Sequence, residues 1–216
     1  MQYFPIPGNS KEGVGHVNDL ETMYIRKATQ GDARAFEALI RPYERKVYNM
    51  ALRMFHQEAD AWDAAQEILL KAYRNLPGFK FESSFSTWLY RVAANTCIDL
   101  YRKQKRKRER ECSLDQTMEE RPDGLHRLVA SKGDTPEEAL VRKETILEVH
   151  RAIEALSPDH RMVIVLRDLQ GLGYKEIADI LECSEGTVKS RISRARESLK
   201  RILLENREQT AGQIVP

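Results

Sequence analysis

The stretch GYKEIADILECSEGTVKSRISRARESLKRI, residues 173–202, decides the fold. Tyr174–Leu181 reads as a short helix, Cys183-Ser184 as a tight turn, and Glu185 to about Asn206 as a longer basic helix. That succession is a helix-turn-helix pattern. Val188, Ile192, Ala195, Leu199 and Ile202 recur at helical spacing and form one apolar stripe, which must pack on the helices before it. The opposite side presents Ser190, Arg194, Glu197 and Arg201, flanked by Lys189 and Ser193. A helix laid in the major groove reads base edges near its N-terminus, because that end reaches deepest. Arginine can bond guanine in two places there, while the remaining Lys and Arg neutralise phosphates. Ser184 reads as the cap, leaving the positive end of the helix beside the phosphate track. A capped helix with a merely basic outer face is the weaker account of six cations within fifteen residues behind such a turn.

Upstream, helix signals continue without a convincing strand. Ser157-Pro158 opens the preceding helix, and Gly171 and Gly173 end it. Thr135-Pro136-Glu137-Glu138 opens another, with a Thr cap, Pro at the first helical position and Glu closing the box. Between about Glu109 and Asp134 periodicity fails, charges crowd, and Pro122, Gly124 and Gly133 intervene. This segment reads as a solvated linker. Before it lie four more helices. Asn18-Asp19-Leu20-Glu21 begins the first, and Gly31-Asp32 ends it and caps the second. Phe36, Leu39, Ile40, Tyr43, Val47, Met50, Ala51 and Met54 then run through one pattern that Pro42 should kink. The third carries Trp62, Ala65, Leu69, Ala72, Tyr73 and Leu76 on its apolar side. The fourth runs from Phe85 through Tyr101 into a basic run. The expected fold is all-α: two small helical domains joined by a flexible linker, the second a helix-turn-helix. The boundaries read as a tail over 1–18, an N-terminal domain over 19–108, a linker over 109–134, a C-terminal domain over 135–207 and a tail over 208–216.

The fourth helix carries a second constellation. Phe85, Trp88, Leu89, Val92, Ala93 and Thr96 face inward together. Arg91, Asn95, Arg102 and Arg106 fall on another side and continue into Arg102–Arg110, where seven cations meet one anion. Just upstream lies a loop with Phe79, Phe81, Ser83 and Ser84. Aromatics beside a basic track suit single-stranded DNA, since cations follow the backbone while unstacked bases need a pocket. On the third helix Asp63, Glu67, Leu70 and Arg74 share a face away from the Trp62/Leu69 stripe. That face reads equally as a protein-docking surface or as plain solvated helix.

Composition removes other classes. Charged residues make up 31 % of 216, hydrophobic residues 41 %, and the net charge is +2. The charge is segregated into two basic patches, the footprint expected where phosphate is the partner. No apolar run approaches the ~20 residues that span a bilayer. The start, Met1-Gln2-Tyr3-Phe4-Pro5, does not have a secretory pattern. Cys97, Cys112 and Cys183 form no CxxC pair, which argues against a disulfide framework or zinc knuckle and for a reducing cytoplasm. His16, His56, His126, His150 and His160 are scattered, and neither HExxH nor a glycine-rich phosphate loop occurs. His150 and His160 read as surface residues. No cofactor, metal or catalytic residue is expected.

Taken together, the motifs resemble those of bacterial extracytoplasmic-function sigma factors of the sigma-70 family. Gly171–Ala178, Gly186–Arg191 and Arg194-Ala195-Arg196 are similar to the family's C-terminal domain, and Ser157–Arg161 to its LP-x-x-x-R opening. Gly31-Asp32 with Phe36 and Leu39, Asp60–Glu67, and Phe85–Leu89 with Arg91, Ala93, Asn95, Asp99 and Arg102 are similar to its N-terminal domain. The chain departs at Trp62, Ala64 and Leu69. The resemblance implies a bacterial cytoplasmic subunit that gives RNA polymerase its promoter specificity in a stress or envelope response. Asp63, Gln66, Glu67, Leu70 and Arg74 would meet the clamp helices of the largest core subunit. Phe79, Phe81, Ser83, Ser84, Arg91, Asn95, Arg102 and Arg106 would hold the −10 element, with a flipped base in the loop before Phe85. Arg167, Ser184, Thr187, Lys189, Ser190, Arg191, Ser193 and Arg194 would meet the −35 duplex. An anti-sigma factor is the implied inhibitor, with no direct membrane insertion. The rival reading is a stand-alone helix-turn-helix regulator, which would bind duplex tightly without polymerase.

Overall fold

The structure, a computed structural model, describes residues 19–112 and 136–212, and all their regular structure is helical. The caps expected from Asn18 and Thr135, the N-terminal tail and most of the expected linker lie outside the described residues, while residues 208–212 of the expected C-terminal tail continue the last helix. In the N-terminal half α1 spans Asp19–Thr29, α2 Ala33–Ile40, α3 Glu44–Phe55, α4 Glu58–Asn75 and α5 Phe85–Cys112. In the C-terminal half α6 spans Pro136–Glu154, α7 Pro158–Ile164, α8 Tyr174–Leu181 and α9 Glu185–Gly212.

Local chemistry sets the helix starts. The Asp32 carboxylate accepts the Arg34 and Ala35 amides at 2.9 and 3.1 Å, satisfying donors that a first helical turn leaves open. Gly31 precedes it at φ +93°, a left-handed conformation that glycine takes without a Cβ clash. Ser84 caps α5 through the Thr87 amide at 3.1 Å, and Ser184 caps α9 through the Thr187 amide at 3.1 Å. Ser157 caps α7, with Pro158 in the first turn.

Around Pro42 the chain breaks rather than kinks: α2 stops at Ile40 and α3 starts at Glu44. Proline cannot donate to the ladder and its ring crowds the preceding turn, so two short helices replace one bent one. On α4 the buried residues are Ala61, Ala64, Ala65, Ile68 and Ala72, whereas Trp62 is 58 % exposed and Leu69 only half-buried. Of the expected stripe Ala65, Ala72 and Leu76 are buried, Leu69 and Tyr73 lie at its margin, and Trp62 falls outside it. Small side chains let α4 lie close on α3 and α5, and the indole stays outside against Tyr48, ring centroids 4.7 Å apart.

The two halves pack together. Besides α3 and α4, α5 carries α7 and α8, and Tyr90, Ala94, Cys97 and Ile98 are buried along with the expected Phe85, Leu89, Ala93 and Thr96. Across this seam Arg161, fully buried, donates to the Met54 carbonyl at 2.7 Å and to the Tyr101 hydroxyl at 2.9 Å. Its remaining donors bond the carbonyls of Ile153, Glu154 and Leu156 at the end of α6. A buried guanidinium is tolerated only when its donors are met in this way.

Candidate nucleic-acid and docking interfaces

Three surfaces collect the candidate residues. On α4, Asp63, Gln66, Leu70 and Arg74 are exposed and Glu67 is half-exposed, paired with Lys71 at 3.9 Å. Leu70, at 49 % exposure, stands on a face flanked by carboxylates. Beside it a groove of about 710 Å³ runs between α4 and α5. Asp60, Asp63 and Glu67 line one wall, and Lys103, Arg106, Lys107 and Arg110 the other. Gln104 bridges the walls by donating to Asp60 at 2.8 Å. An apolar residue ringed by charges beside such a groove suits a helical protein partner that brings both kinds of contact.

The second surface is the loop before α5. A 3₁₀ turn at Leu76–Gly78 leads into it. Phe79 is buried against Phe85 and Trp88, with ring centroids 6.1 and 5.5 Å away. Phe81 stacks obliquely on Phe79 at 4.8 Å and is 47 % exposed, in the left-handed region at φ 61°. A bulky residue held there is strained, and such strain persists only where the surroundings fix it. The pair divides its work: Phe79 anchors the loop, and Phe81 offers an open aromatic face. Ser84 is engaged as the α5 cap and also meets the Ser86 and Thr87 hydroxyls at 2.9 and 2.8 Å. Ser83 donates to the Ser84 carbonyl at 3.3 Å.

Along α5 the expected basic track is only partly open. Asn95 and Arg106 are exposed. Arg91, however, donates to the Asp179 carbonyl at 2.8 Å and pairs with Glu182 at 2.9 Å. Arg102 pairs with Asp159 at 2.8 Å. All three partners belong to the C-terminal half. The sequence gives no sign of these pairings, because their members lie 57 to 91 positions apart.

The third surface is α9 with the turn before it. Lys189, Ser190, Ser193 and Arg194 are exposed, while Thr187 and Arg191 are half-exposed. Ser184 and Thr187 share a hydroxyl contact of 2.9 Å, and Ser190 donates to the Thr187 carbonyl at 2.9 Å. The apolar stripe faces inward as expected, with Val188, Ile192 and Ala195 buried. Arg167 lies on a π turn at Val165–Leu169. It donates to the Leu172 carbonyl at 2.8 Å and stacks over Tyr174, 4.7 Å from the ring centroid. Lys189 approaches the same ring at 5.7 Å. Arg196 is held away by Asp168, whose carboxylate accepts from its Nε at 3.2 Å.

The histidines require one correction. His150 does not stand free on the surface but is half-buried, its ring 5.9 Å from that of His56 at the seam. Among the described residues no cluster of His, Cys, Asp or Glu could hold a metal ion. Nor is any helix there long and apolar enough to cross a membrane.

Both halves of the chain are similar to known proteins. The family model for Sigma-70 region 2 matches residues 39–107, and that for Sigma-70, region 4 matches residues 146–199. The RNA polymerase sigma-H factor of Pseudomonas aeruginosa is 37 % identical over 180 residues, 83 % of this chain and 91 % of that protein. The ECF RNA polymerase sigma-E factor of Escherichia coli K12 is 38 % identical over 179 residues, 83 % of this chain and 92 % of that protein. Among solved structures, the sigma factor RpoE in complex with the anti-sigma factor NepR from Bartonella quintana aligns with a TM-score of 0.56 and 26 % identity, covering 79 % of this chain and 98 % of that one. CnrH in complex with the cytosolic domain of CnrY aligns at 0.58 and 24 %, covering 86 % and 97 %, and so shares the fold.

Proposed function

The chain belongs to the extracytoplasmic-function sigma factors of the sigma-70 family, and from that premise we propose how its surfaces divide the work of starting transcription. The protein gives RNA polymerase its promoter specificity, and the stand-alone regulator reading falls away. The exposed face Asp63, Gln66, Glu67, Leu70 and Arg74 docks on core polymerase: Leu70 supplies the desolvated contact and the carboxylates set the orientation. Phe81 and the loop through Ser83 and Ser84 receive an unpaired base of the −10 element. Arg91, Asn95, Arg102 and Arg106 track the backbone of that strand. Helix α9 enters the −35 major groove, Arg194 reading a base edge and Lys189, Ser190, Arg191 and Ser193 fixing register with Arg167, Ser184 and Thr187. The domain division follows the same line, with α1–α5 serving polymerase and the −10 element, and α6–α9 serving the −35 element. The chain itself catalyses no reaction; polymerase does the chemistry.

The observation that carries this reading is the presence on one chain of two distinct working surfaces. One is an acid-flanked apolar face on α4, and the other is a capped basic recognition helix. A DNA-binding regulator needs only the second. A structural relative is seen in complex with an anti-sigma factor; we extend that to this chain and propose that a protein of this class holds it inactive. The test is in vitro transcription with core polymerase over a promoter library. Discrete starts that need both chain and core are expected. Tight duplex binding by the chain alone, with no transcription from any promoter, would overturn the proposal.

A further inference from the structure

We propose that Trp62 extends the polymerase-docking face of α4 and receives a cationic side chain of the core enzyme on its open ring face. The inference rests on the assignment of Asp63, Gln66, Glu67, Leu70 and Arg74 to polymerase docking. Among the described residues Trp62 is the most exposed large apolar side chain, at 58 %. Single exposed apolar residues are ordinary, but this one is not isolated. Glu58, Trp62, Gln66, Leu70 and Arg74 follow one another at intervals of four along α4, and so form one ridge of its surface. Trp62 and Leu70 stand eight residues apart on that ridge, about 12 Å at 1.5 Å per residue.

The indole is held in place before any partner arrives. Tyr48 of α3 lies against one side of it, with ring centroids 4.7 Å apart and planes inclined by 40°. Tyr48 is itself half-buried, so the contact ties the indole to the pair of helices and leaves its other side to solvent. A large ring fixed in advance loses little freedom on binding. Tryptophan is also among the residues that most often carry the binding energy of an interface.

Charge selects the occupant. Glu58 stands one turn before Trp62, near the Tyr48 hydroxyl, whose pKa is raised by burial and then by Glu58. Asp63 follows Trp62 directly. Neither carboxylate has a cationic partner among the described residues. The ridge itself holds no cation before Arg74, twelve residues from Trp62. A ring face attracts a cation through its quadrupole, and the two carboxylates add to that attraction. An acidic group would be repelled there, and an apolar one would desolvate the carboxylates without pairing them.

The experiment measures binding of the full chain to core RNA polymerase, in competition with a wild-type chain that carries a fluorophore at exposed position 200. Trp62→Ala should weaken binding about tenfold. Trp62→Phe keeps a ring and should stay within about threefold of wild type, whereas Trp62→Leu should fall nearly as far as alanine. Both keep apolar cover over Tyr48, so that comparison does not turn on folding. Trp62→Glu should bind several-fold more tightly than Trp62→Arg, because only the first can pair with a cation. Wild-type binding by Trp62→Ala, or a leucine variant as good as the phenylalanine one, would overturn the ring contact. Binding by Trp62→Arg as tight as by Trp62→Glu would overturn the cationic occupant. Failure of the underlying docking shows separately, since Leu70→Glu would then still assemble with core. Should Leu70→Glu fail to assemble while Trp62→Ala binds as wild type does, the role of Trp62 alone is overturned.

Discussion

His56 illustrates how much one buried residue at the seam can report. It ends α3 in the left-handed region at φ 59°, with its amide bonded to the Leu52 carbonyl at 2.8 Å. The ring is buried, and among the described residues neither ring nitrogen has a hydrogen-bond partner. Burial, then the charges of Arg161, His150 and Arg53, push its pKa down to about 3. In the unfolded chain it returns to about 6.5. The unfolded state thus binds more protons between those values, and stability falls as pH drops through that window. The slope reaches at most about 1.4 kcal/mol per pH unit. Urea denaturation at pH 7.5 and 5.5 should show a loss of about 1 kcal/mol from this residue. In His56→Asn, which tolerates the left-handed backbone, that part of the loss should vanish. An identical loss in the variant would place its source elsewhere. The caps at Asp32, Ser157 and Ser184 were legible in sequence because cap and acceptor turn lie within three residues. The burial of Arg161 and His56 was not, since their surroundings come from distant segments.

At the scale of helices, amphipathic periodicity located nearly every element but took Trp62 for a core residue of α4 and understated how much of α5 is buried. Reading by hydrophobic size favours Trp62 and Leu69, whereas close helix contact selects alanine, as at Ala61, Ala64, Ala65 and Ala72. On α5 a single inward face was expected, and the second one, with Tyr90 and Ala94, exists because α7 and α8 pack there. Burial, and then Glu176 on α8, push the Tyr90 hydroxyl up to about 12. This bears on how the −10 loop can be tested. Ser84 holds the start of α5, so Ser84→Ala should cost about 1 kcal/mol in cap stability whatever its role with DNA. Phe81 and Asn95 are exposed and do no such structural work. Phe81→Ala with Asn95→Ala should therefore slow open-complex formation on a responsive promoter while core polymerase is still bound in full. Permanganate footprinting, with pull-down as the companion measurement, checks both halves. A bubble that opens at the wild-type rate would remove these residues from the −10 site.

For the whole molecule, the sequence conveyed two helical halves with two kinds of surface, and missed that the halves share a seam. Charge segregation is visible along the chain, but docking between halves depends on pairs such as Arg91 with Glu182 that no local pattern announces. The seam also decides how the division of labour must be tested. A C-terminal fragment would uncover the side of α8 that packs on α5, so substitutions belong in the full chain. Leu70 is exposed on α4, so a charge there should leave folding undisturbed. On the proposed docking, Leu70→Glu places an ion in a contact that polymerase would have to desolvate, which is costly without a partner charge. Holoenzyme should then fail to assemble in a pull-down, while circular dichroism stays unchanged. Arg194 is exposed on α9. Arg194→Ala should keep polymerase binding intact and weaken promoter engagement by holoenzyme by ~1–3 kcal/mol, with relaxed choice at one base pair of the −35 element. A Leu70→Glu chain that still assembles, or an Arg194→Ala chain that cannot, would show that polymerase docking and −35 reading are not separated between α4 and α9.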